Sequence, residues 1–315
     1  MGSEMCIRDS YLSIDIGGTN LKYALLDKSG TLVQKWQRPT PKQSLNELLH
    51  VLKEIVSVHL NRIKGIAISC PGKVDKKQGI IYFGGSLTFL NHLHLKDILE
   101  KEFSLPVAVE NDGKSAALAE LWLGNLRNIC QGAAIVFGTG VGGGLIINGN
   151  LFSGQHFQAG EFSFLLNRVD EPTIDHLLGF NTSAVAMINQ ISQQLGWKSK
   201  NDGIKVFQAI CAGNGTANRI FNQFCQRAAL LISNIQAIVD LERYVIGGGI
   251  SSQPILIKRI NEYYDIIRRK IPILGDTLAR PEIVSSRFHN DANLYGALYR
   301  LFLEMEKGEG ANGIE

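Results

Sequence analysis

Three short strand-like stretches in this chain each stop at glycine: the alternating residues 12–16 at Gly17-Gly18, the apolar residues 133–137 at Gly138, and the apolar residues 244–246 at Gly247-Gly248-Gly249. A short apolar run closed by glycine reads as a strand. The glycine marks backbone that must turn tightly or come close to a ligand. Glycine numbers 33 in 315 residues and arrives in clusters. Strand-to-glycine junctions alternating with helical pattern point to an α/β architecture.

Leu12, Ile14 and Ile16 alternate with polar residues, which predicts a half-buried strand. Residues 21–26 and 31–36 continue as strands about Lys28-Ser29-Gly30, an antiparallel meander. Ser44 and Glu47 form a capping box for a helix with Leu48, Leu52, Ile55 and Val56 on one face. A strand over 63–69 ends at Pro71-Gly72, a helix follows near 95–103, and a strand over 106–109 delivers Glu110-Asn111-Asp112. The second half repeats the theme: strand 133–137, glycine turn 138–144, strand 145–147, helical pattern over 182–240, strand 244–246, a late strand at Val284 and a closing helix over 294–305. The expected division is an appended segment 1–10, an N-terminal lobe 11–115 joined by the closing helix 292–307, a C-terminal lobe 116–291, and a disordered tail 308–315.

Composition excludes several classes. A net charge of +3 with scattered Lys and Arg does not make a nucleic-acid groove. No apolar run nears the ~20 residues of a membrane span, and residues 1–10 lack the apolar core of a signal peptide. Cys6, Cys70, Cys130, Cys211 and Cys225 form no CxxC pair, which points to a reducing, cytoplasmic setting without disulfides or a structural zinc. His92 and His94 lack a third ligand and read as surface residues.

The segment DIGGTNLK, Asp15 to Lys22, is a strand-turn-strand whose Gly17 and Gly18 expose backbone N–H groups, with Thr19 and Asn20 adding donors. Such a concavity suits phosphate oxygens, and Asp15 at its mouth suits a hydrated Mg²⁺. The competing reading is a plain β-turn with a solvated Asp. In FGTGVGGG, Gly138, Gly140 and Gly143 have GxGxxG spacing. A dinucleotide fingerprint opens a helix after the first strand, whereas here a strand follows, so the segment reads as a second phosphate turn with Thr139 as donor. Gly247, Gly248 and Gly249 leave room for a flat ring or ribose, or else for close helix packing.

Six motifs in order, DIGGTNLK, CPGKVD (70–75), VEND (109–112), FGTGVGGG, AGEF (159–162) and VIGGGI (245–250), resemble the ROK family from about residue 11 to 303. The resemblance implies two ribonuclease-H-like lobes, the fold shared by actin, hexokinase and the Hsp70 ATPase. It also implies ATP with Mg²⁺ as phosphate donor, a sugar hydroxyl as acceptor, a final helix returning to the first lobe, and a homodimer. On it, Asp112 is the general base, Asn111 hydrogen-bonds the sugar, and Glu161 binds ring hydroxyls near C1 and C2. The bland role for Asp112 is an N-cap.

Two departures stand out. Phe164 occupies the place of a histidine that touches sugar and zinc, and the Cys-x-Cys motif is missing, so no zinc is expected. AGEF with a following aromatic, and the loop Gly84-Gly85-Ser86, are similar to the β-glucoside kinase subgroup, which phosphorylates the 6-hydroxyl of cellobiose-like sugars; Gly85 would let the sugar approach the backbone. His176 and Lys114, the latter standing where relatives carry Asn, are expected to face solvent. A glucokinase or N-acylhexosamine kinase is the alternative. A non-catalytic sensor would not need Asp112 and three intact turns, and ten residues ahead of Tyr11 leave no room for a repressor's helix-turn-helix.

Overall fold

The computed structural model describes residues 10–166 and 173–311. The described residues divide into two compact units: unit 1 holds residues 10–123, 153–158 and 291–311, and unit 2 holds residues 124–152, 159–166 and 173–290.

Unit 1 opens with β1 (Ser10–Ile16), β2 (Asn20–Asp27) and β3 (Leu32–Pro39), the expected antiparallel meander. Helix α1 (Leu45–His59) begins at Ser44, whose Oγ accepts the Glu47 N–H, and buries Leu48, Leu52, Ile55 and Val56. Then come β4 (Ile63–Cys70), β5 (Lys73–Asp75), β6 (Ile80–Phe83), β7 (Leu93–His94), α2 (Leu95–Phe103), β8 (Val107–Asn111) and α3 (Asp112–Leu123). The main sheet runs β3-β2-β1-β4-β8, with β1, β4 and β8 parallel; β5, β6 and β7 form a small sheet that no pattern in the sequence announced.

Unit 2 contains β9 (Gly132–Phe137), β10 (Val141–Ile147) and β11 (Asn150–Phe152), then α4 (Leu178–Asn181), α5 (Ala184–Gln194), α6 (Gly203–Cys211) and α7 (Gly215–Val239). It closes with β12 (Arg243–Gly247), α8 (Pro254–Lys270), α9 (Pro272–Thr277) and β13 (Glu282–Ser285). Its sheet runs β11-β10-β9-β12-β13, and β12 is parallel to both β9 and β13. Two units thus share one plan, three antiparallel strands followed by two parallel ones, as expected for ribonuclease-H-like halves.

The last helix, α10 (Ala292–Ala311), packs in unit 1 against β1, β4, β8 and α3. Gly296 makes this possible, because a Cβ there would lie 1.6 Å from the Ser115 carbonyl oxygen. The helix explains one corrected expectation. Strand β1 is buried along its whole length, not half-buried, because α1 and α2 cover the Leu12, Ile14 and Ile16 face while α10 covers Tyr11 and Ser13.

Other boundaries also move. Helix α3 stays whole in unit 1, so the division falls after Leu123 rather than Ser115, and the helix α10 runs past Gly308, where the tail was expected to begin. Residues 312–315 lie outside the described residues. The second glycine turn shrinks to 138–140, since Gly142, Gly143 and Gly144 belong to β10. No helix among the described residues is long and apolar enough to cross a membrane.

Candidate active site

Parallel strands deliver their C-terminal ends to one edge of a sheet. In unit 1 the register sets Asp15 beside Ser69 and Ser69 beside Glu110, with Asn111 beside Cys70 one step further. Burial, with the Asp112, Glu110 and Asp15 carboxylates nearby, pushes the Cys70 thiol well up, so Cys70 is an inert core residue.

Asp15 is 6% exposed, one residue before the end of β1 and two before Gly17. Its Oδ1 accepts the Asn293 amide at 3.0 Å. Burial raises its pKa, opposed by Asn293 and by the Lys22 charge. The Ser69 hydroxyl leans on the same carboxyl without a hydrogen bond of good geometry. Above it, Gly17 N–H closes the turn onto the Asn20 carbonyl, and Thr40 ties both sides through Gly17 O and Thr19 O. Gly18 and Thr19 remain exposed.

Asp112 opens α3 and is half-buried. Its Oδ1 accepts the Gly113 N–H at 2.7 Å and the Asn111 amide at 2.9 Å. Asn111 caps α3 as well, its Oδ1 accepting the Lys114 N–H at 3.0 Å, so the helix start does not depend on Asp112 alone. The Asn111 amide also donates to the Gly72 carbonyl, so both its protons are used within the protein and the residue orients Asp112.

Gly72 and Gly85 adopt positive φ, at 92° and 59°. A Cβ on Gly72 would sit 1.8 Å from the Phe83 carbonyl oxygen. The Gly84 N–H is held by Asn91 Oδ1 at 2.8 Å, and Ser86 Oγ approaches Gly18 to within 3.0 Å of where a Cβ would stand. The turn at 17–19, the Gly84-Gly85-Ser86 loop and Asp112 are therefore gathered at one edge of unit 1.

Lys114 corrects the sequence reading: its side chain is 1% exposed, because the first turn of α3 is enclosed. His176 is also half-buried rather than solvated, and its Nδ1 has no hydrogen-bond partner among the described residues.

Unit 2 brings its own two turns together. Gly138 N–H donates to Gly140 O, while Gly138 O accepts the Val185 N–H and the Ser183 hydroxyl, fixing the N-terminus of α5 to the turn. Thr139 is exposed. Gly248, at φ 94°, lies where a Cβ would be 2.2 Å from the Phe137 carbonyl oxygen. Gly247 is buried at the end of β12, and Gly249 returns to the surface. Gly138 and Gly249 then line one cavity of about 340 Å³ with Val185, Ile188, Ile204 and Phe207. Asn201, Ser252 and Gln253 add polar groups to its otherwise apolar lining.

The 161–164 segment is pinned to the second turn by Ser163, whose Oγ accepts the Val141 N–H at 2.9 Å and donates to the Val141 carbonyl. Gly143, which completes the GxGxxG spacing, instead leaves room for the Phe162 ring, 2.4 Å from where its Cβ would stand. Between Gly160 and Phe162, Glu161 is half-buried, and Phe164 is 64% exposed. Among the described residues no group of three His, Cys, Asp or Glu is placed to hold a metal.

The architecture is that of the actin and hexokinase fold. The ROK family model matches residues 11–303, and the chain belongs to that family. It is 30% identical to a β-glucoside kinase of Listeria innocua over 303 residues, 94% of this chain and 99% of that protein. It is 29% identical to a glucokinase of Halalkalibacterium halodurans, covering 95% and 97%. Among solved structures, a ROK family protein from Streptococcus pneumoniae in complex with sucrose superposes with a TM-score of 0.83 at 29% identity, covering 95% of this chain and 99% of that one.

Proposed function

We propose that the chain is an ATP-dependent sugar kinase that phosphorylates the 6-hydroxyl of a hexose or, preferentially, of a β-linked glucoside. The observation that carries this reading is the Asp112 carboxylate, held at one oxygen by two donors at the edge where the first glycine turn also lies. A carboxylate so oriented accepts the proton of an incoming hydroxyl, a role worth roughly 10²–10⁴-fold in rate. The exposed N–H groups of Gly18 and Thr19 suit the transferring phosphoryl group, with Lys22 nearby. The residues fit a water-mediated Mg²⁺ at Asp15, which would supply charge neutralisation there. ATP's purine fits the cavity between Gly138 and Gly249, whose lining carries no charged side chain. Kinases of the family leave the protein little covalent work, so positioning is the main demand.

The acceptor preference rests on Phe164. An exposed aromatic ring cannot hydrogen-bond a C1 hydroxyl, whereas an attached second sugar can stack on it. Glu161 is the candidate partner of the ring hydroxyls, and Gly85 leaves the loop backbone open to them. The relative named glucokinase keeps free glucose as the second reading, and relatives named N-acetylmannosamine kinase keep an N-acylhexosamine beside it. Competition kinetics with cellobiose, gentiobiose, glucose and N-acetylmannosamine test the assignment. A β-diglucoside is expected to match or exceed glucose in kcat/KM, and Phe164→His to move preference toward glucose. A wild-type preference for glucose of about tenfold, near 1.4 kcal/mol, would establish the alternative.

A further inference from the structure

Strand alternation gives the main sheet of unit 1 two faces. Leu12, Ile14, Ile16, Ile66, Ile68, Cys70, Val107 and Val109 join the core beneath α1 and α2, while Tyr11, Ala67 and Ala108 pack against α10. Asp15, Ser69 and Glu110 follow that second set at two-residue spacing, so a buried polar row lies under α10 at the functional end of the strands.

Helix α10 meets this row at two points. Asn293 donates to Asp15, and Arg300 Nε donates to Glu110 Oε2 at 3.0 Å, with side chains 6% and 1% exposed. These two residues are seven apart, about 10.5 Å along a helix. Strands β1 and β8 are separated by β4 alone, about 9.6 Å. Two helical turns therefore span two strand spacings, and one helix holds both carboxylates.

The Glu110 end does more than anchor the helix. Its other oxygen, Oε1, accepts the Asn111 N–H at 3.0 Å, and Asn111 in turn holds the Asp112 carboxylate. Leu294, Ala297, Leu298 and Leu301 already fasten α10 to the sheet by apolar contact. A buried ion pair adds little to such adhesion after desolvation, and its use lies in fixing geometry.

We propose that Arg300 is a positioning residue: through Glu110 and Asn111 it sets the orientation of the Asp112 carboxylate for phosphoryl transfer. This rests on the reading of Asp112 as the base. The test is the double variant Glu110→Leu/Arg300→Met, which removes both charges while keeping volume, beside Arg300→Lys and Asp112→Asn. The double variant should melt somewhat below wild type, since the Asn111 N–H loses its Glu110 acceptor, and should lose about tenfold or more in kcat with both KM values nearly unchanged and shift the acid limb of its kcat–pH profile, because small misplacements of a reacting group cost up to ~10²-fold. A stable double variant with wild-type kcat overturns the proposal. If the double variant fails to fold, Arg300→Lys decides, since lysine keeps the charge but not the planar guanidinium. A drop in kcat at constant KM supports positioning, and no drop overturns it. An Asp112→Asn enzyme with near-normal kcat instead overturns the base assignment, and this proposal with it.

Discussion

Units 1 and 2 share a sheet plan but place opposite chemistries at matching strand ends. After β4 comes Gly72 at φ 92°, and after β12 comes Gly248 at φ 94°. Each packs its bare Cα against a neighbouring carbonyl, Phe83 O or Phe137 O. The next strand over then ends in Asn111-Asp112 in unit 1 and in Ser285-Ser286 in unit 2. Ser286 Oγ accepts the Phe288 and His289 N–H groups and caps a short turn, while Asp112 presents a carboxylate. The scaffold fixes where backbone may approach a ligand. A few side chains at strand ends decide what that edge presents.

The largest test of that contrast compares matching positions. Asp112→Asn should lower kcat by about a hundredfold or more while leaving sugar and ATP binding within a few fold. Ser286→Ala should cost only about 1 kcal/mol of stability, as a lost cap, with kcat little changed. Steady-state kinetics and thermal melts check both, and equal losses in kcat would break the comparison.

A smaller effect is expected at the glycine that unit 2 uses for close approach. Gly248→Ala puts a methyl into the Phe137 carbonyl at a left-handed backbone position, a strain of about 1–3 kcal/mol. The KM for ATP should rise by about tenfold, about 1.4 kcal/mol of that strain falling on the nucleotide turn, while the KM for sugar stays put. A selective rise in sugar KM would show that the third turn serves the acceptor.

The smallest effect concerns Asp15. Its carboxyl binds its proton more tightly folded than unfolded, because burial raises the folded value above 3.8. That contribution to stability is present at low pH and is lost as pH rises from the ordinary value through the folded one. Asp15→Asn removes the loss. The melting temperature of the variant minus that of wild type should therefore increase as pH rises from about 4 toward neutrality, and a flat difference would mean that Asp15 titrates normally.

The glycine turns, α1 with its Ser44 cap, the strand carrying Asp15, the strand leading into Asp112, and the α/β plan were all readable from local pattern. What escaped was pairing over long separations. Arg300 and Asn293 lie in a helix whose polar positions look like a solvated face, and only the register of β1, β4 and β8 turns them inward. Lys114 misled for the same reason, since charge at a helix start signals solvent unless the enclosing elements are known. The small sheet β5-β6-β7 was missed because its strands are two to four residues long, too short to establish a period. Ser163 gave no signal, because a hydroxyl that staples two loops looks like any surface serine.

Helix α10 also sets an order of events during synthesis. The ribosome makes β1, β4 and β8 first and α10 last, so Tyr11, Ala67 and Ala108 wait for their cover until unit 2 has been translated. Over that interval the nascent unit 1 carries an apolar sheet face, an Asp15 without Asn293 and a Glu110 without Arg300. Its two carboxylates stay hydrated until the helix docks, which delays completion of the Asp15–Asp112 edge until the rest of the chain has been made.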